Sequence, residues 1–298
     1  MNRCSIDPTG ILAGVLSAVL AMVVGCEQPV KTPTTKPTES AKPNHDRIGD
    51  VIRRDPVGYL ESCLDRCKKI DAFTTTFYRR ERLGIVPALR PVERILAKWR
   101  RSPLSIKFDL PDDTSEYAES VYVEGQNDNK LKVLPRHGLL GLPPTVGSFP
   151  VSWSILFHKA KNPITDFGPQ RMLERTLYKI GLARKEKIPG QIIEYKGVVE
   201  LQITGQVAHH IQITNPNHRD FPHAKQNLYI DAELQIPAGS YLWTKDGLLD
   251  AMYLYADMTP NAQLTDADFT IKGPPKKAPP SKAKPKAAPK PAGGKPEA

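Results

Sequence analysis

Three groups of residues in this chain have the types and spacing to do chemistry. The first is a set of histidines: His209, His210, His218 and His223 fall within fifteen positions, with Asp220 among them. Imidazoles and a carboxylate can hold a zinc ion or activate water, so a metal-dependent hydrolase working through the 209–223 region is one reading. A strand through His209 and His210 turns those two rings to opposite faces, however, so only His210 is left to join His218 and His223 as a ligand candidate. The second group is Cys63 and Cys67, four residues apart, a spacing that puts both thiols on one helix face and permits a disulfide in an oxidising compartment. Two half-buried thiols are the other reading. The third is Cys26, which follows Val23, Val24 and Gly25. No Ser-x-x-Lys, Gly-x-Ser-x-Gly, His-Glu-x-x-His or phosphate-cradling glycine loop occurs in the chain. The sequence therefore reads as non-catalytic, with no metal and no cofactor expected.

Cys26 takes its meaning from what precedes it. Residues 11–24 are uncharged and apolar, and as a helix they would reach about 21 Å, short of the roughly 30 Å of a bilayer core. With Arg3 ahead of it, this run reads as a secretion signal over residues 1–25. Gly25-Cys26 matches the lipobox of bacterial lipoproteins, in which the cysteine is acylated and the bond before it is cut. The alternative is a cleaved export signal with an incidental cysteine. Glu27 follows; in enterobacterial lipoproteins, which the segment resembles, an aspartate there favours the inner membrane, so the outer membrane is favoured here. The expected location is the cell envelope, lipid-anchored and facing the periplasm. Residues 26–47 are rich in Pro, Thr, Lys and Ser and read as a flexible tether with a reach of about 25 Å as a coil.

The chain has 298 residues and a formal charge of +10. That charge suggests nucleic acid until it is located. Residues 272–298 hold eight lysines and one acid, and residues 1–47 five basic and four acidic side chains. The remainder is nearly neutral, so no nucleic-acid partner is expected. The Lys, Pro and Ala tail from residue 272 cannot bury apolar surface and reads as disordered. Contact with an anionic envelope polymer and an inert spacer are both open for it.

Between tether and tail, residues 48–271 must position whatever the chain binds. Ile48, Val51, Ile52, Leu60, Cys63, Leu64 and Cys67 give an amphipathic helix broken near Pro56. Two-residue alternation then predicts strands through Phe73–Phe77, Ile95–Trp99, Leu104–Leu110, Val121–Val123 and Leu131–Val133. Further strands are expected over residues 192–195, 198–203, 207–213, 227–230, 234–237, 240–243 and 248–257. Helices are expected over 150–160 and over 169–180, the latter stopping at Gly181. A small cap is expected at Thr265 and Asp268. The economical solution is α+β: a curved antiparallel sheet of about eleven strands, an unclosed half-barrel, with a few helices on its concave face.

Two runs, Phe77-Tyr78-Arg79-Arg80-Glu81-Arg82 and Lys98-Trp99-Arg100-Arg101-Ser102-Pro103-Leu104, resemble a bacterial lipoprotein family known only as a domain of unknown function. Tyr229-Ile230-Asp231, Ile236-Pro237, Tyr253-Leu254-Tyr255, Asn261 and Leu264 to Phe269 are similar to the ending of the LolA, LolB and RseB type of half-barrel. The resemblance implies an open barrel with an apolar cup that, in the carriers, receives lipoprotein acyl chains. The inward face read from the alternation comprises Phe77, Trp99, Ile106, Phe108, Val121, Val123, Trp243, Tyr253 and Tyr255, a wall suited to an acyl chain and equally to a filled core. Leu139, Leu140 and Leu142, in a Gly and Pro framework, form either a loop that enters a membrane or client, or a lid on the sheet. Three functions follow: a tethered carrier or acceptor of a lipid or lipoprotein acyl chain, an RseB-like sensor or adaptor for a protein partner, and the hydrolase above.

Overall fold

A computed structural model describes residues 45–138 and 142–273. The signal, Cys26, most of the tether, Leu139, Leu140 and the tail from residue 274 lie outside the described residues. Two helices lead, α1 (His45–Arg54) and α2 (Pro56–Lys68). The break falls where Pro56 enters α2 at its first turn and Asp55 caps it, accepting from the Gly58 amide at 2.9 Å. α1 begins at His45, so the last residues assigned to the tether are helical.

The strands are β1 (Ala72–Leu83), β2 (Ala88–Leu89), β3 (Glu93–Arg100), β4 (Ser105–Asp109), β5 (Tyr117–Val123), β6 (Leu131–Pro135) and β7 (Gly147–Phe149). A single turn α3 (Trp153–Leu156) and the longer α4 (Pro169–Lys185) interrupt them. The sheet resumes with β8 (Ile192–Glu200), β9 (Val207–Thr214), β10 (His223–Asp231), β11 (Pro237–Thr244) and β12 (Leu249–Pro260). All pairings are antiparallel in the order β7-β6-β5-β4-β3-β1-β12-β11-β10-β9-β8, with β2 on β1, and the two ends do not meet. Among the described residues this is an α+β fold whose twelve strands form one open half-barrel.

Four expectations change in detail. The two strands expected over 192–203 are one, β8, with an irregularity between Tyr195 and Gly197 where Gly197 takes φ +101°. Residues 234–236 are not a strand, and β11 begins only at Pro237. Asp231 Oδ1 accepts from the Glu233 and Leu234 amides at 2.9 and 2.8 Å and closes a turn there. Helix 150–160 shrinks to α3. Finally, α4 runs through Gly181, because Leu173, Thr176, Ile180 and Ala183 continue its buried stripe past that glycine.

α1, α2 and α4 pack on one sheet face. Ile52, Leu60, Cys63, Cys67, Leu173 and Ile180 meet Phe73, Ile95, Ile211, Ile213 and Leu228 in a single core. Cys63 and Cys67 are free and point into this core. Residues one turn apart on a helix sit about 5–6 Å apart at Cβ, whereas a disulfide needs about 3.5–4.5 Å, so the spacing favours two buried thiols over a bridge. Burial pushes their pKa values up to about 11 for Cys63 and about 12 for Cys67. At pH 8 the thiolate fraction of Cys63 is then on the order of a thousandth. Both should resist iodoacetamide in the folded protein and react rapidly in urea, read by mass shift; rapid native labelling would contradict their placement.

The opposite face carries an element that the alternation does not announce. Residues 264–272 lie across β3, β4 and β5, with Phe269 between Val121 and Val123. Lys98 reaches Asp268 at 2.6 Å and Arg100 reaches Asp266 at 2.8 Å, while the Thr265–Asp268 capping box forms as expected. The hydrogen bond from Lys98, then that from the Thr265 amide, holds the Asp268 carboxyl down at about 2. An unfolded aspartate titrates near 3.9, so Asp268 contributes stability that is complete above about pH 4 and is lost as pH falls through about 2. The urea midpoints of wild type and Asp268→Asn should therefore differ at pH 6 and converge at pH 2. A gap of equal size at both pH values would contradict this.

Candidate functional site

Where β1, β12 and β4 curve beneath the 149–168 segment and α4, the protein's own side chains leave a cavity of about 670 Å³. Its floor is aromatic. Phe77 stacks on Tyr255 with ring centroids 5.1 Å apart, and Phe167 meets Phe77 edge-on at 5.1 Å and Phe108 at 4.9 Å. Ile95, Leu110, Leu131, Val133 and Met172 extend the apolar wall.

One side of the cavity is polar. Glu81, on β1, is buried and accepts from the Tyr253 hydroxyl at 2.5 Å and from the Lys161 amide at 3.2 Å. Burial, then the charge of Glu81, pushes the Tyr253 phenol far above its ordinary range, so it stays a donor. Asp250 lies 2.9 Å from Lys161 Nζ and 2.8 Å from His223 Nε2. Burial opposes its ionisation, yet the hydrogen bonds from His223 and Lys161 outweigh that and hold the carboxyl below the usual range. Asn162 Nδ2 donates to the Tyr253 hydroxyl at 3.2 Å, its Oδ1 accepts from Arg175 at 2.5 Å, and Arg175 also pairs with Asp166. Lys159 pairs with Glu116 at 2.7 Å, and Trp153 stacks on Phe149 at 4.4 Å. The 149–168 segment is thus fastened on both sides of the cavity that it borders.

Of the nine side chains expected to face inward, Phe77, Phe108, Tyr253 and Tyr255 line this cavity. Ile106 faces the same way but is enclosed in the core. Trp99 stacks on Phe73 at 5.1 Å beneath the Arg101 guanidinium and borders a separate depression of about 250 Å³. Val121, Val123 and Trp243 face the other side, and for them the expectation is corrected. Pairing places Tyr122 opposite Ile106 and Ser120 opposite Phe108, so Ser120 and Tyr122 turn inward and the valines of β5 meet Phe269. Trp243 stacks on Tyr241 at 5.9 Å, in the row outside the sheet that includes Tyr229, with Lys225 Nζ 4.3 Å above its ring. Leu142, the described member of the leucine loop, is exposed.

The histidines disperse. His210 stacks on Tyr229 at 4.9 Å on the outer face, His218 lies 3.3 Å from Asp220, and His223 is held by Asp250 at the cavity. Among the described residues no three His, Cys, Asp or Glu side chains converge on a point that could hold a metal ion. Phe167, Leu110 and Met172 were missing from the expected wall. Leu110 continues the alternation expected over 104–110, one residue past the end of β4, while Phe167 sits in a connection with no period to reveal it.

A family profile described as a protein of unknown function, DUF1571, matches residues 70–278. A search of curated proteins gave no match. Among solved structures, the chain is similar to the MucA/MucB complex of Pseudomonas aeruginosa, at 12% identity and a TM-score of 0.40, covering 73% of this chain and 61% of that one. It is similar to the lipoprotein LppX of Mycobacterium tuberculosis, at 11% identity and a TM-score of 0.40, over 71% and 98%. It is also similar to a LolA superfamily protein of Nitrosomonas europaea, at 10% identity and a TM-score of 0.25, over 72% and 96%. The chain spans about three fifths of the MucB chains that it matches. The open antiparallel sheet itself, rather than these scores, carries the assignment of fold.

Proposed function

The chain belongs to the DUF1571 family, and we propose that it is a non-catalytic, membrane-tethered envelope lipoprotein that receives a lipid or lipoprotein acyl chain in the cavity under α4. The observation that carries this is the unfilled space of about 670 Å³ floored by Phe77, Phe108, Phe167 and Tyr255. A filled core would leave no such volume, and ligand sites of about 300–1,000 Å³ are the usual size for a small apolar ligand. Each methylene moved from water to such a wall gains about 0.8 kcal/mol, while a bilayer offers nearly the same gain. Exchange between cavity and membrane is then close to balanced, which suits a carrier or acceptor rather than a permanent sink.

The polar side gives the bound molecule a direction. Its hydrocarbon lies against the phenylalanines, and its ester or amide end lies near Tyr253, Lys161 and His223, which are held by the carboxylates of Glu81 and Asp250. Acylated Cys26 would keep the domain at the membrane that supplies and takes up the ligand. Among the described residues no helix is long and apolar enough to cross a membrane.

Extraction of the purified full-length protein into organic solvent, followed by mass spectrometry, tests the proposal. One acyl-bearing lipid per chain is expected, beyond any attached to Cys26. Protein that carries no lipid but co-purifies with a stoichiometric protein partner would overturn it in favour of the adaptor reading.

A further inference from the structure

The turn between β1 and β2 holds Ile85 and Val86 outside any core, 91% and 85% exposed. The turn is nonetheless braced: Arg82 Nε donates to the Leu249 carbonyl at 3.2 Å, and Arg82 Nη1 donates to the Pro87 carbonyl at 3.3 Å. Two other segments present apolar side chains beside it. The α3 region exposes Leu156 at 69% and Phe157 at 59%, and the β11–β12 turn exposes Leu248. These three segments surround one depression of about 550 Å³, lined by Gly84 and Pro87 from the first, Ile155 and His158 from the second and Leu248 from the third. Lys161 and Asp250 belong to its wall and to the wall of the main cavity, so the apolar edge adjoins the binding site.

The charges along this edge are mainly basic. Arg80, Arg82, Arg90, Lys159, Lys161 and Lys245 come from the same three segments. Lys159 is paired with Glu116 and Lys161 with Asp250, so the collar is set by Arg80, Arg82, Arg90 and Lys245, with Asp246 the exposed acid of these segments. Exposed apolar side chains within a basic collar are the pattern that seats a protein at an anionic membrane interface.

We propose that this edge docks on an anionic bilayer, with Ile85, Val86, Leu156 and Phe157 entering the interface and the basic collar meeting lipid headgroups. The cavity entrance would then face the lipid surface. The inference rests on surface side chains and stands whatever the cavity holds.

A tryptophan at position 85 reports on it directly. Full-length Ile85→Trp is mixed with vesicles of three parts phosphatidylethanolamine to one part phosphatidylglycerol, with bromine atoms on the lipid acyl chains. The wild-type chain supplies the background of Trp99, Trp153 and Trp243. Position 85 is exposed, so the variant should fold as wild type does. The added emission should shift to the blue and fall by about twofold or more on these vesicles, since only a ring that enters the hydrocarbon meets bromine. The loss should shrink on vesicles of neutral phosphatidylcholine and at high salt. Added emission that the brominated lipid leaves unchanged overturns the proposal. A blue shift that depends on protein concentration without lipid also overturns it, because the edge would then bury a second copy of the chain.

Discussion

Ser120→Trp should lower the affinity of the protein for a fluorescent polyene fatty acid by tenfold or more, about 1.4 kcal/mol, without lowering its thermal midpoint. Ser120 lies opposite Phe108 on one side and Val133 on the other, and it lines the cavity on the inward face of β5. An indole there occupies space that the acyl chain needs, because Ser120 borders the cavity itself. Ser120→Ala removes a hydroxyl without adding bulk, so its affinity should stay within about twofold of wild type. If the tryptophan variant bound the probe as tightly as wild type, the ligand would lie elsewhere and the Phe77–Phe167 floor would be only packing.

The second large effect concerns stability. Lys107 is fully buried on the outer face, 2.9 Å from Glu119 and 3.1 Å from Asp109, and it donates to the Thr270 carbonyl at 2.8 Å. Glu119 also accepts from the Lys272 amide at 2.9 Å, so one ion cluster fastens residues 264–272 to the sheet. Removing one partner of a buried ion pair leaves the other charge without compensation, at about 3–5 kcal/mol. Lys107→Ala should lose about that much in urea denaturation at pH 7, and limited proteolysis should reach residues 264–272 first. A loss below about 1 kcal/mol would mean that water already solvates Glu119 in the native state.

Much of this architecture is legible in the residues. Alternation locates most strands because one face of the sheet is covered by helices, and Asp55-Pro56 marks the break between α1 and α2. What alternation leaves open is which face is which. β5 is apolar on both sides: Tyr122 faces the helices and Val121 and Val123 face Phe269, so a strand buried twice gives no polar side to orient it. Trp243 misleads for the same reason, since an outer row of aromatics covers that end of the sheet. Lys107 reads as a solvent-facing residue in Ile106-Lys107-Phe108, and only residues 264–272, distant in sequence, make it an interior cation. The polar side of the cavity was equally hidden. Glu81 on β1, Lys161 in a connection and Asp250 on β12 meet only through the sheet order that sets β1 beside β12.

Where a hydrocarbon chain comes to rest on the protein decides between a binding cavity and a packed core. A fatty acid bearing a diazirine midway along its chain, photolysed with the full-length protein and mapped by peptide mass spectrometry, locates it directly. Labelling is expected at Phe108, Phe167 and Met172, which share the cavity wall, and should be lost in Ser120→Trp. Labelling confined to the outer face around Tyr229, Tyr241 and Trp243, unchanged in Ser120→Trp, would contradict binding in the cavity.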